Sequence, residues 1–409
     1  MADDLTNEQL YDQVRWDEIV WRRARELGIS RRAFLRLLAA SGAALALDPW
    51  RGPRAFAQEP LVVKPTPPHL FVDFGSNKEM RWENMARQGY TVPNEMFFVR
   101  NHSRTQRIDP LTWRLRIEGS GVRRPLDLTY DVIRAMPHVT VTRYVECAGN
   151  GRSFFEERYN QRAQGTQWKL GAIGVAEWSG VRLREVLERA GLKDTARDVM
   201  PVGLDDLQVR RPMSIQKALA DDTLVVTAMN GEPLPPDHGF PVRILVPGWI
   251  GIANIKWVGR IEVSETPLYS AWNTTSYVMI GPSYQLQPPA RGPVLSTQNI
   301  KSAFELAWPA ELRAGRHTIR GRAWSPAAPI ARVEVSLDRE ITWQTARLVG
   351  PNIAAAWARF EFEWDARPGT YSLRARATDA AGNRQPAAVP FNEQGYLYNA
   401  VIGHPVTVQ

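Results

Sequence analysis

The sequence predicts an α+β protein: a mixed α+β domain over residues 58–290, followed by an immunoglobulin-like β-sandwich over residues 291–409. Three observations carry this. From Val294 onward, alternating apolar and polar runs (HTIRGRAWS, ARVEVSLD, WQTARLVG, ARFEFEWDA, GTYSLRARATDAAG) recur with turn signals about every ten residues, the pattern of half-buried sandwich strands. PPARGP at 288–293 is a proline-rich break between the two parts. Before that break, β-branched and aromatic runs interleave with short segments of helical spacing.

Composition sets the outer limits. The chain has 409 residues, 44% hydrophobic and 23% charged, which is ordinary for two or three globular domains able to bury a core without disulfides. The net charge of +8 suits an anionic ligand. The basic residues are scattered, however, and no nucleic-acid motif is present, so no nucleic-acid partner is expected. The single cysteine, Cys147, leaves no intramolecular disulfide and no Cys-x-x-Cys-His haem attachment, and it cannot hold zinc or an iron–sulfur cluster by itself.

Residues 1–57 read as a twin-arginine signal peptide. SRRAFLR at 30–36 is followed by an apolar run, Leu37 to Leu47, too short to span a bilayer, and then by Ala55-Phe56-Ala57, with cleavage expected before Gln58. The expectation is a periplasmic protein with no membrane span in the mature chain. Residues 58 to about 90 are a proline-rich wrapping segment. TVPNEMFFVRNHS then reads as a strand placing Arg100 and His102 on one face. Taken alone, His102 equally reads as a histidine packed under a turn.

RYVECAGNGRS, 143–153, reads as a strand ending in a tight loop that offers the Cys147 sulfur. Small residues at 148–151 leave room beside the backbone, and Arg152 adds positive charge that favours a thiolate. A lone cysteine is also often an inert buried hydrophobe. If Cys147 binds a metal, that metal brings most of its own ligands.

Trp168 reads as core or rim packing. GVRLREVLERAG, 180–191, is a surface helix, Ser214 to Ala220 a second short helix, and Thr223 to Met229 a strand entering an Asn230-Gly231 turn. The prolines and glycine of PPDHGFPVR, 235–243, make a rigid loop before the strand Ile244 to Val246. There His238 and Arg243 either brace the loop or face a ligand. Asp205 is by itself an ordinary acidic turn residue, and His317 and His404 read as surface or edge residues of the sandwich.

FFVRNH (97–102), ECAGNGRS (146–153), QWKLGAIGVAEWSG from Gln167, MNGEPLPPDHGFPVRILVPGWIGIANIKWVGR from Met229 and YSAWNTTSY from Tyr269 stand in one order. In these blocks, over roughly residues 65 to 405, the chain resembles the sulfite oxidase family of molybdenum enzymes. There one cysteine ligates molybdenum, whose other ligands are a pyranopterin dithiolene and oxo groups. The resemblance implies Cys147 as the metal ligand, Arg100, Arg152 and Trp168 at the substrate anion, and Tyr277 as the active-site tyrosine. It gives Phe98, Arg100, His102, Asp205, His238, Arg243 and Lys256 to the molybdenum-pyranopterin cofactor, and it makes 58–290 the molybdopterin-binding catalytic domain. The sandwich would be the dimerisation-type domain of a homodimer.

Two positions depart from the animal pattern: Ser276, where an aspartate is common, and Gln394, where an arginine reaches the substrate. The implied function is a periplasmic sulfite dehydrogenase that passes electrons to an external c-type cytochrome, with no haem in this chain. Twin-arginine export agrees with it, because that route carries folded proteins and the cofactor is inserted in the cytoplasm. Two alternatives stay open: the same cofactor acting on another sulfur compound, S-oxide or oxyanion, and a non-catalytic exported binding protein in which Cys147 is a core thiol.

Overall fold

A computed structural model describes residues 25, 28–30, 32–33 and 61–409. Arg31, the apolar run Leu37 to Leu47 and the expected cleavage site before Gln58 lie outside these residues. Among the described residues no helix is long and apolar enough to cross a membrane.

The first domain is built on two five-stranded sheets. In one, Val139–Glu146, Ile173–Arg182, Leu224–Met229 and Glu232–Pro233 lie side by side, and Arg243–Leu245 also pairs with Leu224–Met229. In the other, Val258–Ser264 runs parallel to Arg114–Glu118 and antiparallel to Asp198–Gly203, with Leu126–Thr129 and Met213–Ser214 at the edges. Short helices pack beside the sheets. Leu183–Arg189 buries Leu183, Val186 and Leu187, the apolar stripe the sequence suggested. It starts later than the spacing predicts because residues 180–182 still belong to the strand Ile173–Arg182.

Two expectations about the segment before residue 103 fail. The wrapping segment contains a hairpin, Phe71–Phe74 with Asn77–Met80, and a 3₁₀ helix, Trp82–Arg87. Residues 90–102 are not a strand; they touch strands through an isolated Lys78–Val99 bridge and a single bond from the Val92 amide to the Val175 carbonyl. Pro93 is the physical reason: the amides of Met96 and Phe97 both bond back to its carbonyl, folding the chain into a turn instead of a ladder.

The second domain is a sandwich. Lys301–Phe304, Gly315–Trp324, Trp357–Ala366 and Arg347–Asn352 form one sheet; Ala310–Leu312, Gly403–Val408, Gly369–Asp379, Ile330–Ser336 and Gln344–Thr345 form the other. Ile319, Val333, Phe360 and Leu373, drawn from both sheets, meet in one core. His404 corrects the sequence reading. It is buried, donates from Nε2 to the Ala307 carbonyl at 2.7 Å, and lies edge-on to Trp308; burial pulls its pKa down to about 4.

The domains share a polar seam. Arg322 is fully buried, pairs with Glu305 at 2.5 Å, and reaches across to the carbonyls of Met85 and Gly89 at 3.2 and 3.0 Å. A core of Trp82, Trp324 and Trp357 packs beside it.

Candidate active site

Cys147 follows the last residue of the strand Val139–Glu146, and its amide extends the antiparallel ladder to the Ala172 carbonyl at 2.9 Å. The chain then turns sharply; the amides of Asn150 and Arg152 bond to the carbonyls of Cys147 and Gly149 before the helix Ser153–Tyr159 begins. Two glycines make the loop possible. A Cβ on Gly251 would lie 2.8 Å from the Glu146 carbonyl oxygen, and one on Gly149 would lie 2.6 Å from the Arg152 guanidinium.

Cys147 opens into a cleft of about 740 Å³. Phe98, Arg100, His102, Asp205, His238, Arg243, Lys256 and Tyr277 also line it, so eight of the other ten candidate residues converge there from segments up to 179 positions apart, counted from Phe98 to Tyr277. Arg152 and Trp168 do not line it. Trp168 is wholly buried against Phe74 and Phe98. Arg152 lies buried behind the cysteine loop, its Nε donating to the Gln394 carbonyl at 2.9 Å and Nη1 to that of Thr166 at 2.7 Å, with the Tyr396 ring 5.2 Å from its guanidinium carbon.

The cleft is lined by several basic side chains. Burial pulls the Arg243 pKa to about 9, which still leaves it charged at neutral pH. Desolvation, reinforced by Arg243 and opposed by Asp237, holds Lys256 well below the usual lysine range. His238 is buried and held well below its ordinary value, first by desolvation and then by the charges of Lys64, Lys256 and Arg243. Asp205 moves the other way: burial lifts it to about 6, while its Oδ1 accepts the Val209 amide at 3.0 Å.

Arg243 is anchored by the carbonyls of His238 and Asn254, at 3.1 and 3.2 Å. Its Nε, and His238 Nε2, are buried and find no hydrogen-bond partner among the described residues. Such atoms are costly unless something bonds to them. Also among the described residues, no group of three His, Cys, Asp or Glu side chains could hold a metal ion. A metal at Cys147 would therefore draw its other ligands from outside these side chains.

At the opposite wall, His102 Nε2 and the Tyr277 hydroxyl are 3.2 Å apart, and Trp272 packs edge-on to His102 with ring centres 4.4 Å apart. Tyr277 has a positive φ of 55° and stacks at 5.0 Å on Tyr396, a residue of the second domain. Gln394 is buried, and its amide donates to the Thr275 carbonyl at 3.1 Å.

Sequence reasoning missed several contributors. Asp237 lines the cleft and its carboxylate ties down the N-terminal strap: Oδ1 accepts the Val63 amide at 2.9 Å and the Thr105 hydroxyl at 2.5 Å, and Oδ2 the Lys64 amide at 2.7 Å. Lys64, whose pKa desolvation lowers to about 7, reaches the carbonyls of Asn94 and Phe97. Lys256 bonds to the Asn101 side chain and to the Asp237 carbonyl.

Comparison with known proteins agrees with this architecture. The family model for the oxidoreductase molybdopterin binding domain matches residues 102–272, and that for the Mo-co oxidoreductase dimerisation domain matches 298–408. Sulfite oxidase of Gallus gallus is 35% identical over 379 residues, covering 87% of this chain and 82% of the chicken protein. Mitochondrial sulfite oxidase of Homo sapiens is 35% identical over 336 residues, covering 77% of this chain; that match spans 61% of the human protein's length. The crystal structure of the sulfane dehydrogenase SoxCD from Paracoccus pantotrophus superposes with a TM-score of 0.73 at 28% identity, covering 89% of this chain and 97% of that one. A fold shared almost end to end, with both domain families in the same order, places this chain in the sulfite oxidase family of molybdopterin oxidoreductases.

Proposed function

We propose that the protein is a periplasmic sulfite dehydrogenase, exported by the twin-arginine route, that holds a molybdenum-pyranopterin at Cys147 and passes electrons to an external c-type cytochrome. The observation that carries the reading is the single thiol opening into a cleft lined by basic side chains, whose wall holds buried nitrogens, Arg243 Nε and His238 Nε2, without partners among the described residues. That donor set fits the group. The Arg243 fork and Lys256 suit a phosphate, His238 Nε2 suits a pterin edge, and Phe98 gives an apolar wall. When bound, the cofactor supplies two-electron oxygen-atom transfer.

The chain's own residues do the rest. The fixed charges of Arg100 and Arg152 attract the sulfite anion, the first from the cleft wall and the second from behind the cysteine loop. Tyr277, paired with His102, offers a hydroxyl that orients the anion and relays a proton. In net terms sulfite and water give sulfate, two protons and two electrons, and the electrons leave one at a time. An acceptor outside the chain would meet the protein in a small, transient contact. The sandwich is the expected homodimer contact, which the dimerisation-domain match supports.

One observation favours a second reading, with the same cofactor and a sulfane-type sulfur as substrate. SoxCD, described as a sulfane dehydrogenase, shares the fold across nearly its full length. Gln394, engaged with Thr275, puts no charge where animal relatives have arginine. The deciding experiment uses protein from the periplasmic fraction, with molybdenum measured and sulfite or a sulfane donor added to oxidised cytochrome c. Molybdenum near one per chain and rapid haem reduction by sulfite support the first reading, and reduction by the sulfane donor alone supports the second. Cys147→Ser should abolish both; full turnover in that variant refutes the ligand role of Cys147.

A further inference from the structure

Glu146 immediately precedes Cys147, and its carboxylate is completely buried. Three donors converge on it. Lys301 Nζ lies 2.7 Å and Asn150 Nδ2 2.9 Å from Oε1, and Trp324 Nε1 lies 3.0 Å from Oε2. The backbone is held as well, since Gln298 Nε2 donates to the Glu146 carbonyl at 2.7 Å. Lys301 also donates to the Asn150 carbonyl at 3.1 Å, and the Asn150 side-chain oxygen accepts the Ala172 amide at 3.1 Å. Ala172 in turn receives the Cys147 amide. Both sides of Cys147 are thus fixed, and Gln298, Lys301 and Trp324 all belong to the segment after the proline-rich break.

We propose that the buried Glu146–Lys301 ion pair is the positioning device for the Cys147 sulfur, so that the sandwich domain sets the geometry of the metal's protein ligand. This rests on the reading of Cys147 as that ligand. Successive side chains at the end of a strand point to opposite faces. Glu146 therefore points into the second domain while Cys147 opens into the cleft, and one peptide unit couples them. A buried ion pair is a poor source of stability compared with apolar residues of the same volume, because both charges lose their water. Registry is what it offers instead: one arrangement satisfies all three donors, and a rotation of Glu146 breaks them together. Groups that orient a metal ligand are typically worth about 10–100-fold in metal affinity or activity.

The test uses the full-length, cofactor-loaded protein and the variants Lys301→Met, Lys301→Arg and the neutral double variant E146Q/K301M, which leaves no unpaired buried charge. Arg322→Met is the control, because it breaks an equally buried pair within the sandwich domain, whose arginine reaches across to the carbonyls of residues 85–90 and not to the cysteine loop. Molybdenum content, the thiolate-to-metal absorption band, the Mo(V) electron paramagnetic resonance signal and kcat and KM are measured separately. Lys301→Met and the double variant should shift the band and the resonance signal and lower kcat about 10–100-fold, with KM within about 2-fold; Lys301→Arg should recover part of this. Arg322→Met should lower the melting temperature and leave the band in place. A folded double variant with unchanged band, resonance signal and kcat overturns the proposal. A wild-type protein that binds no molybdenum overturns the reading beneath it, and the proposal with it.

Discussion

Asp237→Asn tests how the N-terminal strap is held against the cleft. The carboxylate serves three donors, with Val63 N and Thr105 Oγ1 on Oδ1 and Lys64 N on Oδ2. An asparagine that keeps its oxygen in the Oδ1 position retains the first two and turns an NH₂ toward the Lys64 amide. One charge-assisted hydrogen bond, worth about 1.5–3 kcal/mol, is lost, and a partly buried donor is left facing another, adding about 1–3 kcal/mol. Partial solvation of the freed strap offsets some of this, so a destabilisation of about 2–4 kcal/mol is expected. Denaturant unfolding reads the total, and limited proteolysis reads the strap, which should be cut near residues 61–70 far faster than in the wild type. A stability loss below about 0.5 kcal/mol with unchanged cleavage would refute the reasoning, since the bond to the Lys64 amide would then contribute nothing net.

Three further outcomes follow from the same geometry. Arg322→Met leaves Glu305 buried without its partner and should cost about 3–5 kcal/mol by denaturation, and adding Glu305→Gln should recover part of it. His404 has a folded pKa of about 4, below its unfolded value, so the unfolded chain binds the extra proton as pH falls. Stability is therefore lost from about pH 6.5 down through pH 4, by about 2 kcal/mol at pH 5, and His404→Gln should flatten that slope in melts taken from pH 7 to 4.5. Gly149→Ala puts a methyl against the Arg152 guanidinium, whose flexible end can shift. The fold should lose about 1–3 kcal/mol while KM for sulfite rises about 10-fold, read by denaturant unfolding and steady-state kinetics.

How much was legible in the sequence depended on how local the cause was. The strands Trp357–Ala366 and Gly369–Asp379 follow the alternation over most of their length, because each buries one face and the period of two records it, whereas Gly315–Trp324 loses it at its end, where Arg322 and Trp324 are buried at the seam. The cysteine loop was legible for the same reason: a β-branched run followed by small residues is a local signal. Residues 90–102 misled because their composition suits a strand while Pro93 enforces a turn. His404 was misjudged because its burial depends on Trp308 and the Ala307 carbonyl, which approach only in three dimensions. Asp237 stood inside a motif already noted, yet its partners Val63 and Lys64 lie more than 170 positions away. Tyr396 had no local signal at all, since its role is to stack on Tyr277 from the other domain.

The seam behind the cysteine loop also imposes an order of events during synthesis. Arg152 is held by the carbonyl of Gln394, 242 positions later, and Glu146 by Lys301, 155 positions later. At 5–20 residues per second a ribosome needs about 10–50 s between making the arginine and making its anchor. Throughout that interval the nascent catalytic domain has its thiol but not the complete set of groups that fix it. The loop can reach its final form only after the sandwich has been made and docked, so the two domains must mature as one unit.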